Sequence, residues 1–331
     1  MTLRVPFDEV ASRLSAILTR AGFETHRADL SARLFAETTR DGVYSHGLER
    51  FPRLLAMIRN GSVDVHATPQ RVQQFGAIER WDGRRGPGNL NAWTSMARAL
   101  ELSNQHGIGC VALANTNHWM RGGTYGWQAA DAGAIGICWT NTLANLPPWG
   151  ASLPAVGNNP LIIAVPRPSG HVILDMAMSQ FSYGALTSYQ QKGKLLPVDG
   201  GFDSSGNLTR DPAAIEASQR PLPIGYWKGS GLAMMLDLIA TLLSGGLATH
   251  QIPTDPLRES GLSQVFLALN LARLQPAADS ARTADGIVET VLASNPGAVR
   301  YPGEQILTTR SENLALGLPV REELWNELCA L

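Results

Sequence analysis

The sequence predicts a mixed α and β fold, a helical N-terminal lobe followed by strands and helices in no regular alternation. Two observations lead there. Between about residues 7 and 60 apolar residues recur at helical spacing, through Leu30, Leu34 and Phe35 and again through Leu54, Leu55 and Ile58. From about residue 71 onward short β-prone runs stand between helical ones without a clean βαβ beat. With 331 residues, 44% of them hydrophobic, the chain can bury a substantial core and fits one large unit.

The first helix is expected where Val10, Leu14, Ile17 and Leu18 fall on one face. Asp8, Glu9, Arg13 and Arg20 lie between them and break any signal-peptide apolar run. A second helical pattern covers residues 90–105. Strands are expected at 107–113, 134–139, 161–165 and 172–174, with 265–269 as a fifth. A strongly apolar helix follows at 231–243; it contains Asp237 and ends at Gly245 and Gly246, too short and interrupted to span a bilayer, so the cytoplasm is the expected location. Residues 274–299, rich in Ala, Pro and small polar residues, present no readable period.

Lys and Arg total 27 against 28 Asp and Glu, a formal charge of -1, so no cationic excess invites nucleic acid. The three cysteines, Cys110, Cys138 and Cys329, show no CxxC spacing and are expected to be buried structural thiols. No metal site is expected. No GxGxxG opens a helix after a strand, and GxxxxGKS, HExxH and GxSxG are all absent, which removes the simplest Rossmann, NTPase, zinc-protease and α/β-hydrolase readings.

Three clusters have the composition of a site. In Tyr44-Ser45-His46-Gly47-Leu48-Glu49-Arg50-Phe51-Pro52, His46 and Arg50 are four apart, and Pro52 places the helix start near Leu48 with His46 at its threshold. Reduction of a 2-oxo acid needs a cation for the carboxylate and a proton donor for the carbonyl oxygen, which Arg and His supply. A structural histidine and an exposed arginine would account for the same pair. The run from Asn115 to Trp127 follows a predicted strand and offers His118, Arg121, Thr124 and Tyr125 as hydrogen-bonding groups among glycines; a Gly-rich turn with inward aromatics is the alternative. In Tyr226-Trp227-Lys228-Gly229-Ser230-Gly231, Ser230 reads as an N-cap, and free amides behind Lys228 suit a pyrophosphate, unless the motif only caps the helix. Arg300-Tyr301-Pro302-Gly303-Glu304 by itself reads as a turn.

Taken with ICWTN, PPWG, NPLI and LPVDGGFD, the motifs SHGLERFPR, NHWMRGGTYGW, GYWKGSG and RYPGE resemble the malate/L-lactate dehydrogenase family that is unrelated to the Rossmann lactate dehydrogenases. The similarity runs to about residue 270 and resumes at about 298. It implies a homodimer, a family-specific α/β fold with a non-Rossmann nicotinamide domain, and hydride transfer to or from a 2-oxo or 2-hydroxy acid. One family unit is expected over 1–331, with a helical lobe at 1–70, a mixed part at 71–270 carrying the cofactor and substrate site, and a segment at 271–331 returning to the site. By resemblance, His46 matches the proton donor, Arg50 the carboxylate partner and His118 a second pocket histidine, with Ser45 beside them. The cofactor, NADH with NADPH as the alternative, is implied to run along His171, Val172, Ile173, Leu174, Asp175, Met176 and Ala177, then Trp227 and Lys228, then Gly303, Glu304 and Gln305. Glu304-Gln305 departs from the His-Glu pair of the nearest pattern within the family. Trp119-Met120-Arg121 favours a sugar acid, whose polyol chain needs several donors, over malate, lactate or a cyclic imino acid. A non-catalytic ligand-binding homologue would have lost His46 or Arg50, and both are present.

Overall fold

The computed structural model describes residues 2–331. In chain order it contains β1 (Thr2–Val5), α1 (Phe7–Arg20), α2 (Thr25–Arg40), α3 (Phe51–Arg59), β2 (Gln70–Phe75), β3 (Ile78–Asp82), α4 (Gly88–His106), β4 (Ile108–Asn117), α5 (Gly123–Asp131), β5 (Ala134–Thr140), β6 (Leu161–Val165) and β7 (Val172–Met176). The second half adds α6 (Tyr183–Gln191), β8 (Gly201–Phe202), β9 (Leu208–Thr209), α7 (Pro212–Ser218), α8 (Trp227–Ser244), β10 (Ser260–Asn270), α9 (Ala277–Ala293), α10 (Glu304–Leu316), β11 (Leu318–Arg321) and α11 (Glu322–Ala330). Among the described residues, no helix is long and apolar enough to cross a membrane.

Seven strands form the main sheet in the order β2-β3-β4-β10-β5-β6-β7. Only β3 and β4 run parallel; every other neighbour is antiparallel. The missing βαβ beat is explained by this, because antiparallel neighbours need no helical crossover. The two-residue period of the central strands divides the core between two faces. Val111, Leu113, Cys138 and Phe266 pack against α4 and α5, while Cys110, Ala112, Trp139 and Val265 pack against Ala233, Leu236 and Ala240 of α8. Three layers result, helix, sheet and helix, with β10 at the centre.

The helical lobe has its own core, in which Val10, Leu14, Ile17 and Leu18 of α1 are buried as their spacing requires. It is closed by the other end of the chain. β1 pairs antiparallel with β11, and Leu318, Val320, Leu324, Trp325 and Leu328 belong to the same cluster as the α1 stripe.

All five expected strands form, as β4, β5, β6, β7 and β10, and both later helices are found. The strands left unread have physical reasons. β2 is exposed at every residue and carries no apolar alternation, β1 and β11 have four residues each, and β8 and β9 have two. Residues 274–299 contain α9, whose one buried residue, Val288, leaves no apolar stripe to read. Residues 123–131, within the Gly-rich run, form α5, and the expected turn at 300–304 leads directly into α10. Cys110 and Cys138 are buried, but Cys329 is exposed on α11, contrary to expectation.

Helix α4 begins hard against the end of β4, and Gly88 is the residue at the contact. A Cβ there would lie 2.2 Å from the carbonyl oxygen of Asn117 and 2.3 Å from that of His118, both backbone atoms that cannot swing aside. Gly88→Ala should therefore destabilise the protein by about 3 kcal/mol, at the upper end of overpacking costs, read as a lower urea midpoint with unchanged m-value.

Candidate active site

The chain leaves α2 at Asp41 and doubles back through two 3₁₀ turns, Tyr44–His46 and Leu48–Arg50, before α3 starts at Phe51. Gly47 permits the reversal, since a Cβ there would lie 2.3 Å from Oγ1 of Thr39, the same oxygen that accepts from the Leu48 amide at 2.9 Å. Pro52 sits in the first turn of α3, where its missing N–H is harmless. The helix thus begins later than the expected Leu48, and His46 and Arg50 converge through turns rather than along one α-helical face.

His118 reaches His46 from the end of β4. Asn117 is tied by its Nδ2 to the carbonyls of Arg85 and Gly86, and the Met120 amide donates to His118 Nδ1 at 3.0 Å. The two imidazoles stack, with centroids 5.8 Å apart and planes 25° from parallel, and Ser45 Oγ lies 2.9 Å from His46 Nδ1. Burial lowers the His46 pKa to about 4, helped by the positive charges of Arg50, Arg121 and Arg53. His118 is pushed well down by burial and then by Arg50, His46 and Arg53. Both rings are neutral at pH 7.

Arg50 and Arg53 share one buried carboxylate, that of Glu259, with Nη2 to Oε2 distances of 3.9 and 3.1 Å. Glu259 precedes β10 and also accepts from the Leu143 amide at 3.3 Å. Burial, then Arg53, lowers the Arg50 pKa to about 10. Two guanidiniums against one carboxylate leave a surplus positive charge beside the histidines, a setting that attracts an anion. Arg53 lay unassigned inside the motif containing His46. Glu259, over two hundred residues further on, stands in no motif.

Arg121 is 3% exposed. Its Nη1 donates to Asp41 Oδ2 at 2.7 Å, and its Nε is 4.0 Å from Asp175 Oδ2. Asp41 also accepts from Arg40 Nε and from both Nε and Nη2 of Arg310, each at 2.8 Å. Burial pushes the Asp41 carboxyl up, but Arg310, Arg121 and Arg40 together bring it down to about 2. Trp119 and Met120, read with Arg121 as polar-chain contacts, are instead core residues, 1% and 8% exposed. The Trp119 ring packs on Tyr125 and Phe266.

Two of the implied cofactor segments adjoin the third at separate points, one near the start of β7, the edge strand of the sheet, and one just past its end. Ile173 N donates to Pro302 O at 2.9 Å, bringing in residues 303–305, and Ile224 N donates to Met178 O at 2.9 Å, bringing in 227–228. Their residues are not equivalent. Ile173 is 2% exposed and packs with Trp127 and Ala164, so its side chain faces the core. His171 lies one residue before the strand, with Nδ1 accepting from the Arg167 amide and Nε2 2.9 Å from Asp131. Asp175 accepts from the Gly123 amide at 2.9 Å, and burial raises its pKa. A cavity of about 550 Å³ borders Arg300, Glu304 and Gln305.

Helix α8 starts at Trp227, with Tyr226 and not Ser230 as N-cap. Ser230 Oγ instead accepts from the Trp149 amide at 2.7 Å, tying the PPWG loop to the helix. The amides of Lys228, Gly229 and Ser230 donate to Gly225, Ile224 and Tyr226 carbonyls, so they are already paired, and the Lys228 side chain beside them is exposed.

The family model described as malate/L-lactate dehydrogenase matches residues 5–329. A 2,3-diketo-L-gulonate reductase of Escherichia coli O6:K15:H31 is 46% identical over 99% of this chain and all of the relative. This chain belongs to the malate/L-lactate dehydrogenase family. Two solved structures share its fold. Malate dehydrogenase of Pyrococcus horikoshii OT3 superposes with a TM-score of 0.90 at 25% identity, covering 99% of this chain and 94% of that one. Delta1-piperideine-2-carboxylate reductase of Pseudomonas syringae pvar.tomato gives 0.88 at 25% identity, covering 98% of each chain. As a member of this family the protein is an oxidoreductase acting on CH–OH and keto groups, and the family implies a nicotinamide cofactor.

The histidine pair of this family member makes a pH test available. Between the unfolded value near 6.5 and the folded value of about 4 for His46, the unfolded chain holds a proton that the folded chain refuses. That contribution makes stability fall as pH falls through this window. Imidazole NMR of the ligand-free enzyme should show His46 neutral until pH is lowered to about 4; ordinary titration near 6.5 would contradict the geometry described here.

Proposed function

We propose that this enzyme reduces 2,3-diketo-L-gulonate to 3-dehydro-L-gulonate with NADH as the hydride donor. The reading is carried by the full-length 46% identity to a reductase of that name. It is supported by a stacked histidine pair beside two arginines that share one carboxylate.

In this mechanism Arg50 takes the substrate carboxylate, while Arg53 and Glu259 hold its guanidinium in place. His46 then faces the C2 oxygen. Ser45 orients its ring from Nδ1, and the stacked His118, whose Nδ1 is occupied by the Met120 amide, keeps the ring from turning. A nicotinamide, when bound, would provide the hydride, and the role of His46 is to give the proton to the C2 oxygen. In the ligand-free enzyme Arg50 helps keep His46 neutral. A carboxylate on Arg50 offsets that charge, so His46 gains its proton as the substrate arrives. Binding of a 2-oxo acid near pH 7 should accordingly take up a proton, measurable as a dependence of the calorimetric enthalpy on buffer ionisation.

The groups on these segments suit a nicotinamide cofactor chemically. Lys228 is an exposed cation for a pyrophosphate, Asp175 and Glu304 are carboxylates able to accept ribose hydroxyls, and the outer edge of β7 offers main-chain groups. Lys228→Ala is expected to weaken NADH binding about tenfold in a fluorescence titration, with a smaller change for the 2-oxo acid. The homodimer and the cytoplasmic location belong to the same proposal. The outward face of α8, with Met234, Met235, Leu238, Ile239 and Leu242 exposed, is apolar enough to bury against a second copy.

The decisive experiment is a panel of 2-oxo acids with NADH and NADPH, including pyruvate, oxaloacetate and a cyclic imino acid, on wild type and His46→Ala. The variant should lose about 100- to 10,000-fold in kcat while still binding NADH. Wild-type kcat should fall as pH rises through the pKa of His46 in the substrate complex, a limb that His46→Ala should lack. Wild-type turnover by His46→Ala would remove it from the mechanism.

A further inference from the structure

We infer that Arg121 is the group that reads an oxygen on the third carbon of the 2-oxo acid, and that Asp41 is the positioning residue that presents it. This rests on the 2-oxo acid reading above and deepens it by assigning a residue that selects acids oxygenated at C3, as 2,3-diketo-L-gulonate is.

The argument starts from unmet hydrogen bonds. A guanidinium has five N–H donors, and removing them from water without partners is costly. Arg121 is 3% exposed, yet only its Nη1 has an acceptor, while its Nε and Nη2 are buried with none. The nearest other carboxylate, Asp175, is 4.0 Å from Nε, beyond a hydrogen bond. Asp41 cannot take more, because Arg40 and Arg310 already occupy the same two oxygens.

The place of these idle donors is defined. Arg121 stands three residues after His118, and its Nε would lie 3.2 Å from a Cβ at Gly123, whose own amide binds Asp175. It therefore lies beside Asp175 of β7, near enough for its charge to act on His46, and separate from Arg50, whose partner is Glu259. With the carboxylate on Arg50 and the C2 oxygen at His46, the next substrate carbon comes under Arg121. An oxygen there meets two donors, while a methyl group leaves them unpaired and strands a charge. Asp41 keeps the fork from collapsing onto the substrate carboxylate by holding Nη1, and is itself held by Arg310 of α10.

An isosteric pair tests the inference, 3-hydroxypyruvate against 2-oxobutyrate, which differ at C3 by a hydroxyl for a methyl. The ratio of their kcat/KM values should fall at least about tenfold in Arg121→Met and in Asp41→Asn, with partial recovery in Arg121→Lys. A structural defect would lower both substrates and leave the ratio alone, and that outcome overturns the inference. Binding to the wild-type enzyme needs no variant: by calorimetry glycerate should bind about tenfold tighter than 2-hydroxybutyrate, and equal affinities also overturn it. A wild-type enzyme that reduces no 2-oxo acid with either nicotinamide would defeat the proposed function, and the glycerate comparison would still decide the role of Arg121.

Discussion

The carboxylate of Asp41 is the point at which the molecule is tied together. Standing at the end of α2, it takes Arg121 from the loop after β4 and both arms of Arg310 from α10. Through these bonds the helical lobe, the sheet and the C-terminal segment share one buried anion. A buried carboxylate with three guanidiniums is tolerable only because nearly every acceptor position is filled, and removing one partner leaves an uncompensated charge. The Arg310 cation also lies 4.3 Å over the Trp127 ring, which packs beside β7. The C-terminal segment is thereby fixed relative to β7, whose Ile173 amide holds Pro302, just ahead of residues 303–305.

The electrostatics of the site follow from the same arrangement. Arg50, Arg53 and Arg121 surround the histidines, while the nearby carboxylates of Glu259 and Asp41 are turned toward the arginines and away from the rings. Each histidine is therefore desolvated among cations, and neutral imidazole is the result. Such a site is incomplete until an anion enters it. Burial contributes most to this and Arg50 comes next, so an anion on Arg50 would offset part of what keeps His46 uncharged.

Much of the fold was legible because it rests on local periodicity. The α1 stripe and the apolar runs of β4, β5 and β10 bury what their spacing says they bury, whereas α8 buries Ala233, Leu236 and Ala240 and leaves its other apolar face exposed. Elements without such a pattern were not legible. β2 is polar and exposed, and α9 buries a single valine. The Ser230 reading failed for a related reason. A serine before an apolar run is a good cap by composition, but the helix starts three residues earlier, and that hydroxyl is used to hold the Trp149 loop.

By itself the sequence determined the fold class and the family through its ordered motifs, and it singled out His46, Arg50, His118 and Arg121 as candidates. These depend on residue type and short spacing, which a chain carries whether or not it is folded. Only the tertiary structure decided what those residues meet. Glu259 and Asp41 sit in no motif, and Arg310 lies 269 residues from its partner. Trp119 and Met120, polar-chain contacts by proximity in sequence, turn out to face the core. The physical reason is that a charged group is defined by its neighbours: whether an arginine is a spectator, an anchor or a ligand site depends on which of its donors are filled, and the filling partners come from anywhere in the chain.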